Sequence, residues 1–338
     1  MIRFPSTTGS AVRFLAPIVL SLIVGACVAR SPTSDPAARS SDEGYLTGAE
    51  GARIHYRVLG SSPDTIVAVH GGPGAGMHAV LPELEPLTRR HTVIFYDQRG
   101  GGRSELPADT TLLQARHHVA DLEAVRRHFD LEKMTLIAHS FGSILVARYA
   151  TRHPERLERM VFFGAVGPRR AEAAAIARAA SSPPDSATQE RLEAVLGALL
   201  RGTSSDPVED CREYEAIGRE MAIARGESGE WQGTTCEMPP EAVRYYYRYT
   251  AQLSPKSFGD WDFSESLREV EAPLLVIHGD LDPRAAAAQR AWARAVPHGR
   301  ALSIPGAGKA VSADRPRRFL EAVETFLDGR WPDRARRP

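Results

Sequence analysis

Apolar residues recur along the chain in two rhythms. Arg53–Leu59 alternates apolar and polar positions, as a half-buried strand does, while Thr65–Val69, Thr92–Tyr96 and 273–277 are near-continuous apolar runs suited to strands buried on both faces. Further strands are predicted at 134–139, 157–164 and 300–304. Between them apolar spacing predicts helices at 81–90, at 112–129 (Leu113, Val119, Leu122, Val125, Phe129), after Ser140 (Ile144, Leu145, Ala147, Tyr149), before 296 and at 315–327. Strands alternating with helices in this way imply an α/β fold whose sheet is mostly parallel from 65 onward, with ligands at the carboxyl ends of the strands.

The rhythm changes at Pro168. From 168 to 266 the chain is rich in Ala, Glu and Arg, with helical periodicity at 171–180, 187–200, 211–225 and 241–253 and no strand signal. This segment is expected to be a helical cap inserted over the carboxyl edge of the sheet. The core is then 45–167 together with 267–329.

The ends read differently. Arg3 and Arg13 precede an apolar stretch at 14–26, too short for a membrane-spanning helix of about 20 residues but suited to a signal peptide. It closes on Val24-Gly25-Ala26-Cys27, which resembles a bacterial lipobox with Cys27 as the lipidated residue; a plain secretory signal is the alternative. Either way the mature protein is expected outside the cytoplasm, in the first case held to a membrane through Cys27. Residues 28–44, rich in Ser, Pro, Ala, Asp and Arg, read as a flexible tether, so the folded domain is expected to start near Tyr45. The basic tail, 330–338, is expected to be solvated, with weak attraction to anionic headgroups as the alternative.

Composition adds bounds rather than chemistry. With 338 residues, 43% hydrophobic and 25% charged, the chain can bury one substantial core plus an insertion. Lys+Arg and Asp+Glu number 42 each, so no charge bias points to a nucleic-acid partner. Beyond Cys27 only Cys211 and Cys236 remain. An exported protein can oxidise such a pair, stabilising the fold by roughly 3 kcal/mol, or keep two buried thiols. No Cys/His cluster and no strand-Gly-x-Gly-x-x-Gly-helix unit occurs, so neither metal nor cofactor is expected.

Candidate chemistry centres on Leu136-Ile137-Ala138-His139-Ser140-Phe141-Gly142-Ser143. A strand pattern stops at a serine between small residues and a helix pattern follows at once, so a sharp turn would lift Ser140 above the sheet as a nucleophile. The usual motif has Gly where Ala138 stands. Ahead of it, His70-Gly71-Gly72-Pro73-Gly74-Ala75-Gly76 follows a buried strand, and glycines at this density let backbone N–H groups turn inward around an oxyanion.

Together with Tyr96-Asp97-Gln98-Arg99-Gly100-Gly101-Gly102-Arg103-Ser104, the cap and His278-Gly279-Asp280-Leu281-Asp282, these motifs resemble an α/β-hydrolase of the prolyl aminopeptidase (proline iminopeptidase) type over roughly 45–328. The resemblance implies that Ser140 attacks an acyl carbon, that Asp282 orients the general base, and that N–H groups of Phe141 and the Gly71-Gly72 loop hold the oxyanion. It implies a small peptide substrate whose free amine is bound by cap carboxylates, for which Glu213 and Glu215 are the candidates; a solvated helix face is their alternative.

One position departs from the pattern. The family carries its general base in a Gly-His after the last strand, and this chain reads Gly308-Lys309. A lysine ordinarily titrates at about 10.4, and bringing it to about 7 costs roughly 4 kcal/mol of burial or like-charge repulsion. Asp282 alongside would instead favour the ammonium form, making Lys309 a salt-bridge partner. No other histidine is placed to serve as the base. His139 should turn away from the nucleophile, His70 and His278 should brace their loops, His298 should lie at the opposite edge of the sheet, and the cap has none. Three functions remain open: an exported serine peptidase, impaired or served by Lys309; an esterase; or a non-catalytic lipoprotein binding a peptide or acyl compound in the cleft.

Overall fold

The computed structural model describes residues 41–180, 185–281 and 283–338; Cys27, the signal segment, most of the tether and Asp282 lie outside the described residues. In chain order the strands are β1 (Ser41–Thr47), β2 (Arg53–Leu59), β3 (Thr65–Val69), β4 (Thr92–Tyr96), β5 (Met134–His139), β6 (Leu157–Phe163), β7 (Leu274–Gly279) and β8 (Gly299–Ile304). They form one eight-stranded sheet in the order β1-β2-β4-β3-β5-β6-β7-β8. β2 is antiparallel to both β1 and β4, and every pairing from β4 to β8 is parallel.

The helices are α1 (Leu81–Leu84), α2 (Ala115–His128), α3 (Gly142–Ala150), α4 (Arg170–Ala180), α5 (Ser186–Arg201), α6 (Pro207–Ala224), α7 (Pro240–Tyr245), α8 (Ala251–Ser257), α9 (Pro283–Ala295), α10 (Val311–Asp314) and α11 (Pro316–Leu327). Strand alternation sends buried side chains to both faces. Val67, Ile94, Leu136 and Phe162 pack with α2, α3 and Trp292 of α9. Their neighbours Ile66, Val93, Ile137 and Phe163 pack with α1 and α11. Each fully buried side chain of this size stabilises the fold by about 1.5–3 kcal/mol, so the sheet is the rigid platform of the molecule.

Four local expectations change. The fold begins before Tyr45: 41–44 belong to β1, an edge strand whose polar residues are recruited by the ladder with β2 and by Glu43, which accepts from His55 (3.0 Å) and Arg103 (2.7 Å). The helix expected at 81–90 is cut to α1 and a 3₁₀ turn, with Pro82 and Pro86 each at the start of its piece. The helix expected at 241–253 runs on to Ser257, interrupted by a π-helical turn at Tyr246–Thr250. That turn lets Thr250 donate from Oγ1 to the Gly100 carbonyl at 2.7 Å, tying the helical segment to the loop after β4.

The fourth change is the basic tail, which is not simply solvated. Arg336 exchanges both backbone hydrogen bonds with Ala301 of β8 (2.8 and 2.9 Å). Trp331 packs on Phe326, and the Arg300 guanidinium lies 4.6 Å from the Trp331 ring centroid. β8 is a sheet edge with unpaired backbone groups, which is why this segment docks there despite its charge.

Candidate active site

β5 runs directly into α3, and Ser140 sits at the turn with φ of 51°, a left-handed conformation for a residue bearing a side chain. Close approach explains its neighbours. A Cβ on Gly142 would stand 2.4 Å from the Val69 carbonyl oxygen, and one on Gly71 would stand 2.9 Å from the Ser140 Cβ. Ala138, two residues earlier, is fully buried in register with Val69 and Phe162, so its methyl is accommodated. Around Ser140 the N–H groups of Gly71, Gly72 and Phe141 have no acceptor among the described residues. Donors left open beside a nucleophile suit a developing oxyanion.

His70 braces this wall. Its Nδ1 donates to Gly71 O (2.8 Å) while Nε2 accepts from the Gln98 N–H (3.1 Å), fixing a neutral ring whose pKa is lowered by burial. Asp97 is buried beneath, accepting from the N–H groups of Met77 (2.6 Å) and Arg103 (2.9 Å) and from His55 (2.8 Å). Arg99 forms a buried two-pronged pair with Asp121, at 2.6 Å on each arm. The long motif after β4 is thus a loop-building device, not part of the reacting set.

The opposite wall is built differently. Asp280 accepts from the Gly306 N–H (2.8 Å) and the Leu281 N–H donates to Ala307 O (3.1 Å), so the ends of β7 and β8 hold the loop that carries Lys309. The Lys309 N–H donates to Glu227 Oε2 (3.2 Å), and the Gly308 N–H to Asp314 Oδ2 (2.7 Å). Glu227 also pairs with Arg225 at 3.0 Å. Among the described residues the Lys309 ammonium has no ion pair. Its side chain meets the water of the cavity yet is crowded by protein, and this desolvation lowers its pKa, against the attraction of Glu227 and with help from Arg225. The partner expected for it, Asp282, lies outside the described residues.

Ser140, Gly71, Gly72 and Lys309 line one open cavity of about 470 Å³, to which α6 and the segment from Glu227 to Thr235 also contribute. His139 lines it too, as a packed ring. Its ring stacks on Trp231 (centroids 4.5 Å apart) and leans on Phe163 (4.9 Å), and its Nδ1 has no partner among the described residues. Burial, then the nearby Lys309 and His70, hold its pKa well below the usual imidazole value, so it is neutral. His278 bonds its own loop at Gly279 O (2.8 Å), and His298 pairs with Glu271 (3.3 Å) at the amino end of β8.

The two candidate cap carboxylates part company. Residues two apart on a helix point in nearly opposite directions. Glu215 lines the cavity, accepting from Thr234 Oγ1 (2.8 Å) and from the N–H (2.8 Å) and Oγ1 (2.6 Å) of Thr235. Glu213 faces away, paired with Arg191 of α5 at 2.6 Å, and is removed from the site. Cys211 and Cys236 form a disulfide that joins α6 to the segment bearing Trp231 and the two threonines. With Glu215 they make a group of metal-ligand atom types, but both sulfurs are spent on each other. Trp231, Arg219, Arg225 and Glu227 carried no signal in the sequence, since each lies in a part of 168–266 without a motif.

A mostly parallel sheet with a strained serine between strand and helix, open N–H donors beside it and a cavity above defines a hydrolase. Residues 64–316 match the model of the alpha/beta hydrolase fold family. A proline iminopeptidase of Lactiplantibacillus plantarum is 32% identical over 257 residues, 69% of this chain and 82% of the relative. One of Heyndrickxia coagulans is 22% identical over 304 residues, 85% of this chain and 98% of the relative. The crystal structure of the Mycobacterium smegmatis proline iminopeptidase superposes with a TM-score of 0.59 at 20% identity, covering 85% of this chain and 98% of that one. The chain belongs to the α/β-hydrolase family and, within it, to the proline iminopeptidase type.

Proposed function

We propose that this chain is an exported serine hydrolase with prolyl aminopeptidase-like activity, in which Ser140 is the nucleophile and Lys309 the general base. The observation that carries the reading is the shared cavity: Ser140 at positive φ, open N–H donors at Gly71, Gly72 and Phe141, and a lysine with lowered pKa on the facing wall. Neutral Lys309 takes the Ser140 hydroxyl proton as Oγ attacks the substrate carbonyl. The oxyanion forms against the open N–H groups, worth about 3–4 kcal/mol of barrier. As the C–N bond breaks, the lysine ammonium returns its proton to the leaving amine, and water then releases the acyl group by the same route. Asp282 is assigned by resemblance to orient the base, and Glu215 to hold the substrate's free amine through the remaining acceptor capacity of its Oε2. The segment 168–266 acts as the cap that selects the substrate.

Export and a lipid anchor at Cys27 rest on the residues of the amino-terminal segment. A disulfide between Cys211 and Cys236 suits an oxidising compartment. Mass spectrometry of the membrane fraction tests the anchor: a lipid-modified Cys27 at the mature amino terminus supports it, and an unmodified soluble chain removes it.

One observation favours the competing reading of a non-catalytic binding protein. Among the described residues the Ser140 hydroxyl has no hydrogen-bond partner, Lys309 included. Hydrolysis of prolyl amides and simple esters, compared between the wild type and Ser140→Ala, separates the two. The proposal expects a loss of at least about 10³-fold in kcat/KM for the variant. Equal rates, or no turnover by the wild type of any peptide or ester, would sink it. Turnover of esters alone would assign an esterase.

A further inference from the structure

A second pocket, of about 230 Å³, lies between the start of α2, the end of α3 and the end of α8, and shares no lining residue with the cavity at Ser140. Gln114, Arg116, Arg148, Arg152, Ser257 and Phe258 line it. Its three arginines face no lining carboxylate, and none of them forms an ion pair among the described residues. Some exposed arginines elsewhere find acids, as Arg90, Arg103 and Arg191 do, while others such as Arg89 and Arg219 stand without an ion pair among the described residues, so it is the gathering of three around one pocket that sets these apart.

The side chains themselves indicate what is missing. Arg148 donates from Nη2 to the Phe258 carbonyl (3.0 Å); its Nε has no acceptor among the described residues but is itself closed off from the pocket, so only the terminal nitrogens of this guanidinium can meet a ligand. Burial lowers the Arg148 pKa, and the nearby positive charge of Arg152 lowers it further. Arg116 is held by bonds from Nε to His117 Nε2 and from Nη1 to Gln114 Oε1, which use only part of its donor set. Ser257 Oγ is spent, donating to Ser254 O (2.6 Å) and accepting from the Ala115 N–H (2.8 Å). The pocket therefore offers donors and positive charge with no negative group to match them.

We propose that Arg116, Arg148 and Arg152 form a binding site for a phosphate group. A tetrahedral phosphate presents oxygens in several directions and accepts from separate guanidinium forks at once, where a carboxylate has only two oxygens in one plane. The group can arrive as free phosphate or a phosphomonoester, or as the headgroup of an anionic phospholipid. Because the site and the hydrolytic cavity have no residue in common, its occupancy is independent of whether Ser140 is catalytic.

The test titrates inorganic phosphate into the full chain by calorimetry, at ionic strength held constant with chloride, for the wild type and for the double variant Arg116→Gln, Arg152→Gln. Both positions are exposed, and an unchanged melting midpoint in chloride excludes unfolding as the cause of any loss. Saturable one-to-one binding, weakened at least tenfold in the double variant and less in Arg152→Lys, is expected. Sedimentation with phosphatidylglycerol and phosphatidylcholine vesicles then separates the sources. A deficit of the double variant on phosphatidylglycerol alone, reproduced in the wild type by added phosphate, assigns the headgroup; phosphate binding with no such deficit assigns the free or monoester form. No saturable phosphate binding by the wild type, or binding that the double variant retains, overturns the site.

Discussion

The two walls of the cavity are made by different physics. On one side, Ser140 and the Gly71-Gly72 loop owe their positions to backbone geometry: a left-handed serine, glycines where a Cβ would collide, and N–H groups left open. On the other, backbone bonds from Leu281 to Ala307 O and from Thr234 to His78 O are joined by many side-chain contacts: Glu227 holds the Lys309 backbone, Glu215 holds Thr234 and Thr235, and Trp231 covers His139. Backbone constraints admit few residues, so that wall tolerates little change. Side-chain contacts can be rebuilt with other residues, and it is on this wall that the chain departs from the Gly-His its family leads one to expect.

The largest break in the comparison comes from the backbone wall. Gly71→Ala places a methyl 2.9 Å from the Ser140 Cβ, so the loop must shift away from the nucleophile. We expect kcat/KM to fall by about 10²-fold with little change in melting temperature, since loss of one well-placed donor is worth that much. Unchanged kinetics in Gly71→Ala would remove the loop from the oxyanion site.

On the side-chain wall the disulfide is the point of leverage. Cys211→Ser with Cys236→Ser should lower stability by roughly 3 kcal/mol on the chain-entropy model, read by denaturant unfolding. The same variant should raise KM more than it lowers kcat, because it frees the segment that carries Trp231 and the threonines bound to Glu215. A fall in kcat with KM unchanged would show that this segment serves the chemistry rather than the fit of the substrate.

This contrast also decides what could be read in the sequence. The strand runs, the serine turn and the glycine loop were legible because period and backbone geometry restrict the residues that can stand there. Ser41–Thr47 was not, because Asp42 and Glu43 look like tether until β2 supplies a ladder and His55 and Arg103 supply partners. The docked tail was hidden for the same reason: its contact with β8 is made by backbone, and its composition is basic. Within 168–266, helical periodicity located the helix bearing Glu213 and Glu215, but only the helix's orientation on α5 sends Glu213 to Arg191 and Glu215 to the cavity. Lys309 is a further case: its expected partner, Asp282, lies outside the described residues, and the desolvation that lowers its pKa comes from packing that no motif records.

The smallest expected effect lies in the core, remote from both walls. Hydrogen bonds from Arg126, then from Tyr149 and Arg127, outweigh desolvation and hold the Glu123 carboxyl at about 2. Its pKa is lowered by folding, so the stabilisation is fully present above the unfolded value of about 4.3 and is lost as pH falls from about 5 towards 2. The full displacement corresponds to about 3 kcal/mol, part of which is screened by solvent around the exposed Arg127, so acid unfolding of Glu123→Gln should lack about 2 kcal/mol of this pH dependence relative to the wild type. Parallel curves for the two proteins would show that the network holds no net charge-dependent stability.

The pH dependence of fluorophosphonate labelling at Ser140, in the wild type beside Lys309→His and Lys309→Met, tests the central claim most directly. A lysine base must be neutral to act, so wild-type labelling should rise with pH as Lys309 titrates, below the ordinary lysine range because desolvation disfavours its charged form. Lys309→His should shift the rise to near pH 6.5 and increase labelling at neutral pH, and Lys309→Met should abolish the rise. A wild-type profile that Lys309→Met leaves unaltered would contradict the assignment of Lys309 as the base, and absence of labelling at every pH, restored only in Lys309→His, would make the cavity a binding site rather than a centre of hydrolysis.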